Sequence, residues 1–189
     1  VIDVQHYYED KAVSVIDAPV TGAKIGAETG TLTILGAGDM TAVAKVQPLL
    51  KVISKKFYHL GAVGNGKLVK AMTNLMGAVN LAMVGEIYRF AKEKDLDLAQ
   101  FFAAAQESAG GSTQFSRNFP KMMQEDYTST FALKLLRKDM ALALAMANDT
   151  VMPISQYVYQ LYQNATPFDE EDCSAIAKID QLLSNQKIR

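Results

Sequence analysis

The sequence has very little cysteine, no tryptophan and no excess of charge of either sign. Its 189 residues include one cysteine, Cys173, so an internal disulfide and a cysteine-rich metal site are both excluded. Lysine and arginine number 19 and aspartate and glutamate 20, which gives a formal net charge of −1. The basic surplus that nucleic acid or anionic lipid attracts is therefore missing, and we expect neither as a partner.

Long apolar runs are also missing. The most apolar stretch, residues 75–83, is soon followed by Glu86 and Arg89, whereas a membrane span needs about 20 apolar residues. The first residues lack the charged, apolar and small-residue zones of a signal peptide. Together with the single cysteine, these features predict a cytoplasmic protein with no membrane partner.

The pattern of apolar residues in the sequence changes near residue 64. Before it, the pattern predicts part of an α/β sheet, with strands over residues 13–16, 31–35 and 56–60 and a helix over 40–53 that Pro48 interrupts. After it, apolar residues recur every three or four positions. They predict helices over 66–94, 98–108, 112–124 (bent or divided at Pro120), 131–148, 153–164 and 169–184. The acidic run 169–172 places negative charge at the start of the last of these helices, where the helix dipole favours it.

The predicted fold is therefore a partial α/β domain over residues 1–63, followed by a helical domain over residues 64–189. The first predicted helix of the second domain is unusually long. It carries Met72, Met76 and Met83 at helical spacing, which is more typical of core packing than of a binding surface.

Three segments carry residues suited to chemistry. In the first, Gly61-x2-Gly64-x-Gly66 precedes the long helix, and Lys70 and Asn74 follow four residues apart. At that spacing a cation and an amide share one helix face. Alone the pattern is weak, because most helical lysines are simply solvated.

The second segment is Asp17-Ala-Pro-Val-Thr-Gly-Ala23, a turn-forming run after a predicted strand. There Thr21 and Gly22 are placed to offer a hydroxyl and backbone N–H groups to an anion; an ordinary βα turn fits the same residues equally well. The third is Lys138-Asp139 inside an apolar helix, a charged pair typical of either a helix surface or a cleft.

The order of these motifs, with Gly-Thr-Leu-Thr-Ile at residues 30–34 and Phe131-x6-Lys138-Asp139, resembles the β-hydroxyacid dehydrogenase family. That family includes 3-hydroxyisobutyrate dehydrogenase and the tartronate semialdehyde and glyoxylate/succinic semialdehyde reductases, and is related to 6-phosphogluconate dehydrogenase. The resemblance implies C-terminal strands of a Rossmann-type sheet, then an all-helical domain with a long interdomain helix. It also implies NAD(P)-dependent hydride transfer on a small hydroxyacid or semialdehyde.

Roles follow from the resemblance residue by residue. Lys70 matches the catalytic lysine, a general acid and base at the substrate oxygen, and Asn74 matches the residue that helps to hold the substrate or the lysine. Thr21, Gly22 and Ala23 match a Ser-Gly-Gly turn that grips the substrate carboxylate. The methyl group of Ala23, where the family has a second glycine, puts the identity of the substrate in doubt more than the type of reaction.

The resemblance also assigns the cofactor, NAD or NADP, to Lys138, with Phe131 and Asp139 as weaker candidates beside it, and it implies no metal. Family members begin with a strand, a Gly-x-Gly-x-x-Gly turn and a helix. Neither Gly61-x2-Gly64-x-Gly66 nor Gly36-Ala-Gly38 has that spacing. The chain therefore resembles a member without most of its cofactor-binding domain, and we expect the 189 residues alone to be inactive, as a fragment of a longer protein or the product of a degraded gene.

An alternative of another class stays open: a catalytically incompetent helical dimerisation module that does not bind dinucleotide. The resemblance implies a homodimer or tetramer through the helical domain, and the apolar residues 141–146 suit such an interface. Imine reduction on the same scaffold is disfavoured, because those relatives usually lack the lysine. His6, His59 and Cys173 have no partners at metal or catalytic spacing and are interpreted as structural or solvated.

Overall fold

The computed structural model describes residues 1–183, and the chain divides into two compact units, Val1–Thr73 and Asn74–Arg189. In the first unit the elements are α1 (Ile2–Tyr8), β1 (Val20–Thr21), α2 (Ala23–Glu28), β2 (Leu32–Gly36), α3 (Met40–Ile53) and β3 (Ser54–His59). The strands form one sheet in the order β1-β2-β3, in which β1 pairs antiparallel and β3 parallel with β2. Its apolar core is made by the end of β2 and the start of α3, where Ile34, Ala37 and Val43 are buried.

Two predictions for this unit are wrong. Residues 13–16 form no strand, and only the next residue, Asp17, makes an isolated antiparallel bridge with Ala37. A β-branched run favours extended backbone, but a strand also needs a neighbour that completes its hydrogen bonds. In addition, α3 continues through Pro48. This proline lies on the exposed face of the helix, where water can satisfy the carbonyl group that the missing N–H leaves unpaired.

The long helix α4 (Asn65–Glu93) begins in the first unit and continues into the second. There it is followed by α5 (Leu98–Gln106), α6 (Thr113–Met123), α7 (Leu133–Ala147), α8 (Pro153–Asn164) and α9 (Asp180–Leu183), with 3₁₀ helices at Thr166–Phe168 and Cys173–Lys178. The predicted class, part of an α/β sheet followed by a helical domain with one long helix, is confirmed.

Aromatic packing organises the helical unit. Four phenylalanines from α5 and α6 lie with ring centroids 4.8–6.2 Å apart, namely Phe101, Phe102, Phe115 and Phe119. Because Phe115, Phe119 and Met122 are buried on one face of α6, packing holds that helix continuous through Pro120 and the predicted division does not occur. The hydroxyl of buried Tyr162 on α8 donates to the backbone oxygen of Ala78 on α4 at 3.1 Å.

The α-helix predicted over residues 169–184 is wrong for residues 169–179 and confirmed only over Asp180–Leu183, which forms α9; Ser184 lies outside the described residues. The acidic run that suggested a helix start is engaged by basic side chains instead: Asp169 by Arg137, Glu170 by Lys134, Glu171 by Lys178 and Asp172 by Lys121. Carboxylates held by these side chains cannot all serve one helix start. A 3₁₀ helix follows, capped by Asp172, which accepts from the N–H of Ser174 at 3.1 Å.

The interpretation of the methionines as core residues is also wrong. Met72, Met76 and Met83 are each more than half exposed, on a face of α4 that Phe90 extends. Among residues 1–183, α4 alone is long and apolar enough to cross a membrane, with a mean hydropathy of 1.3 over its most apolar 18-residue window. This is weak evidence for a span, because core helices of soluble proteins meet the same criterion.

Candidate functional site

The glycines before α4 are explained by backbone geometry and close packing. Gly61 and Gly64 have φ values of 89° and 101°, a region that residues with a Cβ rarely adopt. Gly66 lies in the first turn of α4, where an added Cβ would overlap the backbone oxygen of Leu35 and stand 3.1 Å from the ring of Pro19. These positions set where α4 begins, and hence where half-buried Lys70 lies one turn further on.

The turn over residues 19–23 contains β1 and the first residue of α2, with Gly22 between them. Thr21 pairs with Thr33 of β2 and is exposed, and Gly22 follows with a φ of 134°. Ala23, the first residue of α2, has a φ of 54°, in the left-handed region that is costly for a residue with a side chain. The backbone at Ala23 thus adopts the conformation expected of a glycine in spite of its methyl group.

In the helical unit the structure brings together Asn74, Asp139 and Lys138. The side-chain Nδ2 of Asn74 donates to Oδ2 of Asp139 at 2.8 Å, and Nζ of Lys138 lies 3.1 Å from the other carboxylate oxygen. The Asp139 side chain is 19% exposed and that of Lys138 is 61% exposed. The carboxylate therefore fixes the orientation of the Asn74 amide, while the Lys138 side chain, paired with the same carboxylate, remains largely exposed.

The remaining cofactor candidate, Phe131, precedes α7. Its backbone oxygen accepts from the N–H of Cys173 at 2.9 Å, and its N–H points at the carboxylate of buried Asp172. The backbone of Phe131, which lies eight residues before Asp139, is thus held by Asp172 and Cys173. The two groups of predicted residues lie in different units, with Thr21, Gly22, Ala23 and Lys70 in the first and the others in the second; α4 carries Lys70 and Asn74 four residues apart.

Asp17 was assigned no role from the sequence pattern. Its side chain is 1% exposed, and Oδ2 accepts from the backbone N–H of Lys67 at 2.8 Å, in the first turn of α4. Oδ1 is the one buried side-chain polar atom without a hydrogen-bond partner in the described part of the chain. An aspartate closing a predicted strand just before a proline was visible in the sequence, but its partner 50 residues later was not.

Other titratable groups have structural surroundings. Nε2 of His59 lies 2.8 Å from the backbone oxygen of Gly38. Burial and the neighbouring carboxylate of Asp172 raise the pKa of the Cys173 thiol to about 12, the reverse of an activated nucleophile. Within residues 1–183 no group of three or more metal-ligating side chains could hold an ion.

A surface cavity of about 250 Å³ lies between α3 and β3, with Lys51, Lys55 and Lys56 in its lining. None of its lining residues is a predicted site residue. Two of these lysines are on β3, at the end of the sheet order, where lysine side chains discourage pairing with a further strand.

Comparison with known proteins agrees with the order of the motifs. Residues 64–179 match the family model described as the NAD-binding domain of NADP-dependent 3-hydroxyisobutyrate dehydrogenase, and residues 1–61 match that of the NAD-binding domain of 6-phosphogluconate dehydrogenase. Both models describe domains of nicotinamide-dependent dehydrogenases. The chain belongs to the β-hydroxyacid dehydrogenase family.

Individual relatives extend beyond this chain. It is 32% identical over 184 residues to 2-(hydroxymethyl)glutarate dehydrogenase of Eubacterium barkeri, covering 95% of this chain and 61% of that protein. It is 31% identical over 172 residues to the chloroplastic glyoxylate/succinic semialdehyde reductase 2 of Arabidopsis thaliana, covering 89% and 48%. The fold is similar to 3-hydroxyisobutyrate dehydrogenase of Mycobacterium tuberculosis, with a TM-score of 0.86 at 24% identity over 94% of this chain and 64% of that one. The chain thus spans about half to two thirds of the length of these proteins.

Proposed function

We propose that the protein containing this chain is an NAD(P)-dependent oxidoreductase of small hydroxyacids, with Lys70 as the general acid and base. The observation that carries the proposal is the fixed amide of Asn74, held by Asp139 at 2.8 Å on the helix that presents Lys70 one turn earlier. An amide locked by a partly buried carboxylate is pre-organised to orient a small ligand. Membership of the family supports the same assignment.

In the proposed reaction, the substrate carboxylate lies at the turn formed by Thr21, Gly22 and Ala23, which offers one hydroxyl and backbone N–H groups. During reduction the ammonium group of Lys70 donates a proton to the carbonyl oxygen of the substrate, and during oxidation the amine form accepts the hydroxyl proton. Asn74 holds the substrate oxygen or the lysine in line. Because Ala23 is held in a strained backbone conformation, we expect the position of the backbone N–H donors in this turn to determine which substrates bind.

The residues in the helical unit fit a nicotinamide dinucleotide only in part. Lys138 presents an exposed ammonium group suited to a phosphate or a carboxamide oxygen, with Phe131 as a second candidate contact. The carboxylate of Asp139 is engaged by Asn74, so we assign it to orienting that amide. When bound, the cofactor supplies or takes up the hydride. The Gly-x-Gly-x-x-Gly motif that binds the dinucleotide phosphates does not occur in these 189 residues.

The test is a reductase assay on the protein expressed from its natural gene. NAD(P)H oxidation is measured with glyoxylate, succinic semialdehyde and tartronate semialdehyde. The reverse reaction, reduction of NAD(P)⁺, is measured with hydroxyisobutyrate. We expect activity with at least one substrate, its loss in Lys70→Ala, and near-normal activity in Lys92→Ala, a control that removes an exposed lysine from the same helix. No activity that depends on Lys70 would mean that the proposal is wrong.

A second candidate describes the 189 residues by themselves: a helical dimerisation module that does not bind dinucleotide. The observation that favours it is the exposure of large apolar side chains, with Met76 and Met83 on α4 and Leu142 and Met146 on α7. Apolar surface of this kind is typical of interfaces. Sedimentation of the 189-residue chain should show a dimer or tetramer, and titration with NADH or NADPH should show no binding; a monomer counts against the module.

Two further assignments accompany these functions. The division into a partial dinucleotide-binding domain over residues 1–63 and a helical domain over 64–189 is supported by the two family models, which meet between residues 61 and 64. A cytoplasmic location stays a prediction, which fractionation of cells expressing the natural gene would test.

A further inference from the structure

We propose, on the basis of the function above, that Asp17 is a positioning residue that holds the substrate turn in register with the helix that carries Lys70. Asp17 lies two residues before the turn over residues 19–23, and its carboxylate accepts from the backbone N–H of Lys67, three residues before Lys70. One side chain thus links the two parts of the first unit that the reaction needs to hold at a fixed separation.

The link is rigid at its strand end. The N–H of Asp17 donates to the backbone oxygen of Ala37 at 2.8 Å, and the N–H of Ala37 donates back to the oxygen of Asp17 at 2.7 Å. Two residues further on, the backbone oxygen of Pro19 accepts from the N–H of Leu35 at 2.9 Å. The chain entering the turn is therefore fixed to the end of β2 by three backbone hydrogen bonds.

The link is also tight at its helix end. The first-turn N–H groups of a helix have no partner within the helix, and Asp17 supplies one for Lys67. The helix start is pressed against the same residues, because a Cβ on Gly66 would stand 3.0 Å from Oδ2 of Asp17 and 3.1 Å from Cδ of Pro19. A negative charge is favourable at this end of a 29-residue helix.

Burial distinguishes Asp17 from an ordinary helix cap. Asp39 caps α3 in the same unit, with Oδ1 accepting from the N–H of Ala42 at 3.0 Å, but it is exposed and three residues from its partner. Asp17 is 1% exposed and 50 residues from its partner. Loss of the Asp17 bond should therefore change the spacing of two segments, whereas loss of the Asp39 bond should affect only one helix end.

The experiment compares Asp17→Ala, Asp17→Asn and the matched control Asp39→Ala in the protein expressed from its natural gene. We expect Asp17→Ala to lower kcat at least tenfold with KM changed less than threefold, because the turn keeps its own donors while Lys70 is misplaced. Asp17→Asn should keep kcat within threefold of wild type, since its amide oxygen still accepts from Lys67. Both Asp17 variants should unfold at lower urea concentration, so stability loss alone does not account for the difference in kcat.

Two further measurements decide the outcome if Asp17→Ala does not fold. Lys67→Pro removes the N–H donor from the other side of the bond, within the first turn of α4, and should also lower kcat at least tenfold. In the 189-residue chain, amide exchange at Lys67 should be at least tenfold faster in Asp17→Leu, whose side chain has no acceptor, than in Asp17→Asn, and unchanged in Asp39→Ala.

Three results would each overturn the positioning role. They are an Asp17→Ala protein with kcat within threefold of wild type, an Asp17→Asn protein as slow as Asp17→Ala, and a rate of amide exchange at Lys67 that does not change with the residue at position 17. If wild type itself shows no reductase activity, the proposed function fails and this role with it. If wild type is active and only the position-17 effects are missing, the function stands and the role of Asp17 is wrong.

Discussion

Replacing each of three glycines in α4 by alanine tests whether close packing sets the start of this helix. Gly66→Ala is the decisive change, since its Cβ would overlap the backbone oxygen of Leu35, which no side-chain rotation can relieve. Alanine favours the helix by at most about 1 kcal/mol over glycine. Overpacking against backbone costs up to about 3 kcal/mol, so we expect a net destabilisation of about 2 kcal/mol.

The other two glycines are graded controls within the same helix. A Cβ on Gly77 would stand 2.9 Å from Nε2 of Gln114, the end of a flexible side chain. That amide can swing away at the loss of its hydrogen bond from Asn118, a loss of about 1 kcal/mol that offsets the gain in helix propensity. A Cβ on Gly85 would stand 3.1 Å from the Cα of Ala177, so Gly85→Ala should lie between the other two.

The assay is urea denaturation followed by circular dichroism, with the free energy of unfolding compared among the three variants and wild type. We expect wild type and Gly77→Ala to agree within about 0.5 kcal/mol, Gly85→Ala to be weaker, and Gly66→Ala to be weakest. A Gly66→Ala protein as stable as Gly77→Ala would refute the argument that α4 begins where close packing allows it.

Three other outcomes are expected. Ala23→Gly should stabilise the chain by about 0.5 kcal/mol in urea denaturation, because relief of the left-handed backbone (φ 54°) slightly exceeds the added entropy of the unfolded chain; a loss of stability would contradict this. Burial acts to raise the pKa of Asp172, but hydrogen bonds from Thr130, Lys121 and Ser174 outweigh it and lower that pKa well below its usual range. Asp172→Ala should therefore cost about 3 kcal/mol at pH 7. The difference from wild type should begin to shrink as the pH falls below about 4 and continue to shrink towards the lower pKa of the folded chain, because a depressed folded-state pKa gives stability that is complete above the unfolded-state pKa and is lost as the pH falls towards the folded-state one. A difference as large at pH 2 as at pH 7 would refute this assignment. The Cys173 thiol, with a pKa of about 12, should react with a disulfide reagent at pH 8 roughly 10³-fold more slowly in the folded chain than in urea, and equal rates would show that the site is open.

Residues that repeat with helical period were predicted well, because the information is local. The helix over 153–164 agrees with α8 at both ends, since Pro153 suits a first helical turn and apolar residues follow at the right spacing. The long helix was placed within one residue of α4 at each end. The order of motifs along the chain likewise predicted the family, because that order is read from residue types and spacings alone.

Where a residue's partner is distant in sequence, the predictions failed or were silent. Residues 13–16 have the composition of a strand, but strand formation depends on a neighbour, and only Asp17 has one. The acidic run 169–172 suggested a helix start, but three basic side chains from α6 and α7 engage it, together with that of nearby Lys178. The methionines of α4 fit a core pattern, yet which side of a helix is covered depends on what packs against it.

The sequence by itself determined the helical periods, the composition and the motif order that define the family, because each is a property of the chain read in one dimension. Tertiary structure alone decided that Asp139 orients Asn74, although they are 65 positions apart in the sequence, and that Asp17 reaches Lys67, 50 positions away. It also decided that Ala23 adopts a glycine-like backbone. Hydrogen bonds and strain of this kind depend on distances that only the folded chain sets, and residue spacing along the sequence does not encode them.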